Sequence, residues 1–319
     1  MPERRGPSRK RFVRRALLVF VAMLIVAMVA IASSYRRQIV SFATHRKGSP
    51  THTSELEALS PGYDLHLAVA GDVGDSGRRF KLTAEAMATL GATEPFDDVL
   101  LLGDNVYPDG DPARLDSAVF QPLAPVLAEG QGLLAILGNH DVKKGHGGAQ
   151  MKALGMPGRW WSQSVGDVLL IGLDSNDPWN AEQRAWLEQT LSATGASWKI
   201  VALHHPPYSA GYQGSDKDAR ASFSPLFERY GVQLVLSGHD HDYQRSVPQN
   251  GVTYVVSGAA AGTRRTGEAS FTATSFSWHH FVDIAVYPDH LLLRAINQDL
   301  RVADLATITL PGGLYDSGG

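Results

Sequence analysis

Between residues 65 and 241, short apolar runs alternate with segments of helical spacing, and five of the runs stop in the same way. Leu65–Ala70 stops at Gly71-Asp72, Val99–Leu102 at Gly103-Asp104-Asn105, and Leu133–Leu137 at Gly138-Asn139-His140-Asp141. Ile200–Leu203 stops at His204-His205-Pro206-Pro207, and Val232–Leu236 at Ser237-Gly238-His239-Asp240-His241. Runs of this length, rich in Val, Leu and Ile, predict strands buried on both faces, as in an α/β sheet. The spacing between them predicts helices over Phe80–Leu90, Ala181–Leu191 and Ser222–Tyr230, the second with Asn180 as its N-cap. Ligands of open α/β sheets bind beyond the carboxyl ends of the strands. The polar residues at the five ends are therefore expected to converge on one crevice, and the glycines beside them to permit sharp turns and close backbone approach.

A different pattern precedes this body. Ala16–Ala32 is seventeen consecutive apolar residues, with seven basic residues before it and four following closely. That length sits at the lower limit of about 17 for a transmembrane helix, and the charge bias predicts a cytoplasmic N-terminus with the body outside. Two expectations stand: a signal anchor over 16–35, or a signal peptide cleaved after Ala32, since Ala30-Ile31-Ala32 is an A-x-A site. The run exceeds the usual h-region of about 7–15 residues, which favours the anchor. Basic flanks argue against a buried core helix, and Arg14-Arg15 is only a faint twin-arginine signal. The expected organisation is a basic cytoplasmic segment (1–15), the hydrophobic segment (16–35), a polar linker (36–61), a globular domain (62–310) and a flexible tail (311–319).

Composition narrows the chemistry. The 319 residues include no cysteine, which excludes disulfides, thiolate zinc sites, iron–sulfur clusters and a cysteine nucleophile. The net charge of −3 hides an asymmetry: residues 1–47 hold eleven Lys/Arg and one acid, leaving 18 Lys/Arg and 31 acids in the remainder. A body of charge −13 is a poor partner for polyanions, so no nucleic-acid partner is expected. Asp72, Asp104, Asn139, His204, His239 and His241 remain as a mixed oxygen and nitrogen donor set. Six such donors suit more than one ion; iron, manganese or zinc fits better than copper(I), and imidazole argues against calcium. Two ions about 3.5–4 Å apart are a standard device for phosphoryl hydrolysis. One Gly-Asp turn or one His-x-His means little, but five ligand-type endings in one chain are specific.

Taken in order, Asp72…Gly103-Asp104-Asn105-Val106-Tyr107…Gly138-Asn139-His140-Asp141…Val201-Ala202-Leu203-His204…Gly238-His239-Asp240-His241 resembles the calcineurin-like metallophosphoesterase superfamily. Asp72-Val73-Gly74, Tyr107 three residues after Asp104, and Val-x-x-His resemble the purple acid phosphatases. The compact size and the stretch Gly238–Arg245, followed by Tyr254–Gly258, resemble their small tartrate-resistant type. The resemblance covers residues 65–258 and implies an α/β fold, a four-layer αββα sandwich of two mixed β-sheets, here preceded by one N-terminal hydrophobic helix. It implies two metal ions bridged by Asp104. Asp72, Tyr107 and His241 would complete an Fe(III) site, and Asn139, His204 and His239 a site for Fe(II), Zn(II) or Mn(II). His140 would bind phosphate and protonate the leaving oxygen. The family often has a further histidine downstream in the loop after His204; residues 209–221 contain none, so the general acid lies between His140 and His205.

The implied activity is that of an exported acid phosphatase, hydrolysing small phosphomonoesters by attack of a metal-bound hydroxide. The alternatives are a phosphodiesterase on the same centre and a non-catalytic, membrane-tethered phosphate-binding module. A membrane contact through the N-terminal helix is expected, and no obligate protein partner. Asp141 and Asp240 are candidates for orienting ligand imidazoles, or are solvated turn residues. Lys143, Lys144, His146 and Arg159, and also Arg264-Arg265, form either a cationic rim over the site or ordinary surface charge. Trp160, Trp161 and Trp186 read as core, and His279-His280 as structural or rim residues.

Overall fold

All five apolar runs form strands, and they do so in parallel pairs. In the computed structural model, which describes residues 53–310 apart from 76 and 129, β1 (Leu65–Ala70), β2 (Asp98–Leu101) and β3 (Gly132–Ala135) lie side by side in one sheet. β6 (Trp198–Leu203) and β7 (Leu234–Ser237) pair in the other. The first sheet is completed by the antiparallel β11 (His280–Val286), β12 (His290–Asn297) and β13 (Val302–Thr309), in the order β13-β12-β11-β1-β2-β3. The second adds β4 (Trp161–Val165), β5 (Val168–Leu173), β8 (Tyr243–Ser246), β9 (Thr253–Ser257) and β10 (Thr272–Phe276), in the order β10-β8-β9-β7-β6-β5-β4. Both sheets are mixed, as the resemblance implied.

Side-chain alternation along each strand builds the layers. On β1, Leu65, Leu67 and Val69 face the second sheet and pack with Trp198, Ile200, Leu234 and Leu236. Ala68 and Ala70 point the other way, against Phe80, Ala84 and Met87 of α1 (Arg78–Gly91). The outer face of the second sheet carries Leu187 and Leu191 of α3 (Ala181–Ala193) and Phe223 and Phe227 of α4 (Lys217–Arg229). Burying each of these large side chains is worth about 1.5–3 kcal/mol. The result is the four-layer αββα sandwich. A further short helix, α2 (Gly147–Ala153), follows the β3 loop.

Helix starts follow their caps. Asn180 accepts the Gln183 amide at 3.0 Å, as predicted. Helix α4 starts five residues before the apolar spacing suggested, because Asp216 accepts the Ala219 amide at 2.7 Å and sets the first turn there.

The linker expectation needs correction at its end. Residues 53–61 belong to the folded body. Ser54 forms a bridge with Val302, Leu59 N donates to Glu94 Oε1 at 3.2 Å, and Ser60 O accepts from Tyr287 Oη at 2.8 Å. Arg294 donates to Glu57 O at 2.6 Å from within a buried hydrogen-bonded chain, His66–Asp283–Arg294–Glu94. The segment lacks apolar periodicity because main-chain and ionic contacts hold much of it. The basic segment, the 16–35 hydrophobic segment, the linker up to residue 52 and the 311–319 tail lie outside the described residues. Among the described residues, no helix is long and apolar enough to cross a membrane.

Candidate metal centre

Every one of the five strand ends delivers its ligand-type residue to the same place, and the backbone is strained to do it. Asp72, Asp104 and His239 have φ of 57°, 52° and 68°, a left-handed conformation costing about 1–2 kcal/mol in a residue with a Cβ. Such strain persists where surrounding structure enforces it. Here part of the enforcement is Gly138, where a Cβ would lie 2.2 Å from both the amide nitrogen and Oδ1 of Asp104. Its absence lets the β3 loop lie directly on the β2 loop.

The buried Asp141 stitches those loops together. It accepts from the amides of Gly138 at 2.9 Å and of Asn105 and Val106 at 3.1 Å each, and from Asn105 Nδ2 at 2.9 Å. Burial first, then the neighbouring Asp104, pushes its carboxyl up to about 7. Asp240 plays the same part for the 209–214 loop, accepting from Ser209 Oγ at 2.5 Å and from the amides of Gln213 at 2.7 Å and Gly214 at 3.1 Å. Both carboxylates were expected either to orient imidazoles or to be solvated. They hold backbone instead, and both are fully buried.

The donor atoms form two adjoining groups. In the first, Tyr107 Oη lies 2.8 Å from Asp72 Oδ1 and 3.1 Å from His241 Nε2, with His241 Nε2 3.3 Å from the same carboxylate oxygen. In the second, Asn139 Oδ1 lies 3.2 Å from His204 Nε2 and 3.0 Å from His239 Nδ1. Asp104 joins the two: its Oδ1 is 3.5 Å from His204 Nε2, and donor atoms of Asp72, Asp104 and His204 all lie within 4.8 Å of one another. His204, His205 and His239 form a second such cluster.

Hydrogen bonding tests whether these groups suit a cation. His204 Nδ1 lies 2.8 Å from Leu102 O and therefore carries a proton there. Its Nε2 then faces only acceptors, the oxygens of Asn139 and Asp104. Burial opposes a charge on this ring, but Asp104 and then Asp72 raise His204, so the pocket favours positive charge at that atom. The electrostatics agree. Burial works to raise Asp72, but the His241 hydrogen bond and the surrounding imidazoles bring it down to about 2, so it is a carboxylate. Burial, then repulsion from His204, lowers His239 to about 3, keeping it a neutral donor. Burial, then Asp72 and Asp104, pushes the Tyr107 phenol well up, so a phenolate there requires the charge of a metal. The residues present thus fit a two-cation centre of mixed oxygen and nitrogen donors.

A cleft of about 360 Å³ opens over this cluster, with Asp72, Asp104, Tyr107 and Asn139 at its base. His140 lines it. Its amide donates to Asp104 Oδ1 at 2.8 Å, its Nδ1 lies 2.6 Å from Pro108 O, and its Nε2 is 4.0 Å from Asp104 Oδ2. Lys143 Nζ sits 3.2 Å from that Nε2. His205 is placed differently: it packs against His204 and His239, its Nδ1 is 2.9 Å from Ser175 Oγ, and burial, then His204, lowers it to about 2.

The cationic rim is mostly committed elsewhere: Lys144 pairs with Asp109, His146 with Asp109 O, and Arg159 with Asp174. Lys143 and Arg264 remain directed at the site. Gln213 on the far wall was not anticipated, since its loop has no periodic pattern. Trp161 and His280 are buried.

The sequence model of the calcineurin-like phosphoesterase family matches residues 65–243, more than half of the chain. The chain belongs to the calcineurin-like phosphoesterase family. Within it, purple acid phosphatase 17 of Arabidopsis thaliana is 28% identical over 229 residues, covering 59% of this chain and 67% of that protein. Tartrate-resistant acid phosphatase type 5 of Rattus norvegicus is 39% identical over 77 residues, 24% of each chain. The matched part thus spans about a quarter of the rat protein's length. These relatives bear out the resemblance to the purple and tartrate-resistant acid phosphatases, a family that implies a two-metal centre. Among solved structures, GAP50, the anchor in the inner membrane complex of Plasmodium, superposes with a TM-score of 0.70 at 19% identity, covering 78% of this chain and 90% of that one. At that identity the likeness is one of fold.

Proposed function

We propose that this protein is a two-metal acid phosphatase that hydrolyses phosphomonoesters. The observation that carries the reading is the convergence of Tyr107 with Asp72 and His241 beside a second group of Asn139, His204 and His239, with Asp104 between them. Asp104 would be shared by the two ions; Asp72, Tyr107 and His241 would hold Fe(III), and Asn139, His204 and His239 would hold Fe(II), Zn(II) or Mn(II). Metals held there would supply neutralisation of phosphate charge and activation of a water. In hydrolysis a water oxygen bonds to phosphorus as the bond to the ester oxygen breaks, and the departing oxygen needs a proton. His140 is the group facing the cleft that can donate a proton to the departing oxygen, with Nδ1 tied to Pro108 O and Nε2 turned inward. His205, walled behind His204 and His239, serves as a neutral brace for those rings.

We also propose that the domain lies outside the cytoplasm, carried there by the 16–35 segment as an anchor or, with cleavage after Ala32, as a signal peptide. Protease accessibility in intact cells tests the side, and N-terminal sequencing tests the cleavage. The activity is tested with the full-length protein reconstituted with iron and zinc or manganese, given a chromogenic phosphomonoester and the matching diester from acid to neutral pH. Faster monoester turnover is expected. Turnover of the diester alone overturns the reading in favour of a phosphodiesterase, and turnover of neither in favour of a phosphate-binding module.

A further inference from the structure

The far wall of the cleft carries a cation that the centre does not use. The Arg264 amide donates to His241 O at 2.7 Å, which fixes this residue relative to the donor cluster. The guanidinium lies over the Tyr212 ring, 5.4 Å from its centroid. Among the described residues it makes no ion pair; Asp75 also borders the cleft but is not salt-bridged to it. The arrangement is pre-set from below. Asp240 holds the amides of Gln213 and Gly214, and Gln244 Nε2 donates to Ser209 Oγ at 2.8 Å, so the loop that presents Tyr212 is tied down on both sides of that residue. Tyr212 itself is 43% exposed, unusual for a large aromatic side chain in this domain.

An arginine whose guanidinium lies over an aromatic ring keeps its planar fork of donors free for a ligand. Such a fork matches a phosphate, to which it donates two parallel hydrogen bonds. The phosphate that is cleaved already has the metal centre and His140. For a second anionic group, carried by the leaving group, the cations at the cleft among the described residues are Arg264 on the far wall and Lys143 beside His140.

We propose that Arg264, braced on Tyr212, selects substrates whose leaving group carries a second phosphate, nucleoside diphosphates being the simplest such class. This rests on the phosphatase reading above. Arg264 touches the leaving group and not the phosphorus under attack, so its removal raises KM for such substrates and leaves kcat nearly as it was.

The test uses full-length, metal-reconstituted protein. Turnover of ADP and of p-nitrophenyl phosphate is compared for the wild type, Arg264→Gln and Arg264→Lys. Calorimetric binding of imidodiphosphate, a non-hydrolysable diphosphate, is compared with that of inorganic phosphate. Arg264→Gln is expected to lower kcat/KM for ADP about tenfold, through KM, against less than about threefold for the aryl ester. Imidodiphosphate affinity should fall in the same proportion, and Arg264→Lys should restore part of both losses. Equal losses on the two substrates would mean that Arg264 merely supports His241, and this outcome overturns the proposal, as does an unchanged ADP value. If the wild type turns over neither substrate, the phosphatase reading fails on its own. The calorimetry then still decides, because an imidodiphosphate-to-phosphate preference unaltered by Arg264→Gln sinks the role of Arg264.

Discussion

Two buried clusters of histidine and carboxylate hang on the same strand, β1, and they differ in how their hydrogen bonds close. At its start, His66 sends Nε2 to Asp283 at 2.6 Å and Nδ1 to Pro95 O at 3.0 Å. The other Asp283 oxygen accepts from Arg294 at 2.6 Å, and Arg294 reaches Glu94 at 2.7 Å and Glu57 O at 2.6 Å. Donor meets acceptor at every step. Just past the end of the same strand, Asp72 enters a group of carboxylate, phenol, amide and imidazole side chains, in which His204 Nε2 is turned to the oxygens of Asn139 and Asp104. Both clusters pair histidine with aspartate. The first cluster brings its own cation in Arg294, whereas the second gathers two carboxylates with imidazole, amide and phenol groups, a donor set that suits cations from outside.

The widest separation between the two should come from Asp104→Ala. Bound metal, read by mass spectrometry, should fall from two ions per chain to one or none, and turnover of a phosphomonoester by about 10³-fold or more, with the fold retained. The counterpart is Arg294→Met, which strands Asp283 and Glu94 without their cation. Urea unfolding should show a loss of about 3–5 kcal/mol, with metal content unchanged. Metal loss in this variant without a loss of stability would break the comparison.

A third buried histidine sharpens it. His280 has only uncharged partners, Ser257 Oγ at 3.0 Å and Trp278 O at 2.8 Å, and burial lowers it to about 4 from the ordinary 6.5. Its folded pKa lies below the unfolded one, so its contribution is fully present above pH 6.5 and is lost as pH falls towards 4. The loss is at most about 3 kcal/mol. The slope of stability against pH over that window should flatten in His280→Gln. The smallest effect expected is that of Tyr107→Phe, which leaves the carboxylates of Asp72 and Asp104 in place. Turnover should drop about 10–100-fold, the melting temperature should hold, and any visible charge-transfer band of an iron-loaded protein should vanish. A band that survives would exclude iron–phenolate ligation.

How much of this was readable in advance depends on the range of the signal. The strand ends were, because an apolar run, a glycine and a polar residue are adjacent in the chain. So was the Asn180 cap, a contact between residues three apart. Tyr107 was legible only through the family resemblance, since nothing local marks a tyrosine after a turn as a ligand. Asp141 and Asp240 stand directly beside proposed ligands, yet adjacency does not reveal which way a side chain turns, and both turn to backbone amides.

By itself, then, the sequence determined the α/β class, the five strand ends and the chemical type of the centre, through local periodicity and turn chemistry. The tertiary structure alone decided which donors meet, that Arg294 reaches Glu57 O across 237 residues, and that Arg264 lies over Tyr212. Those partners are remote in the chain, and their distances and directions are set by how the two sheets pack, which no local pattern encodes.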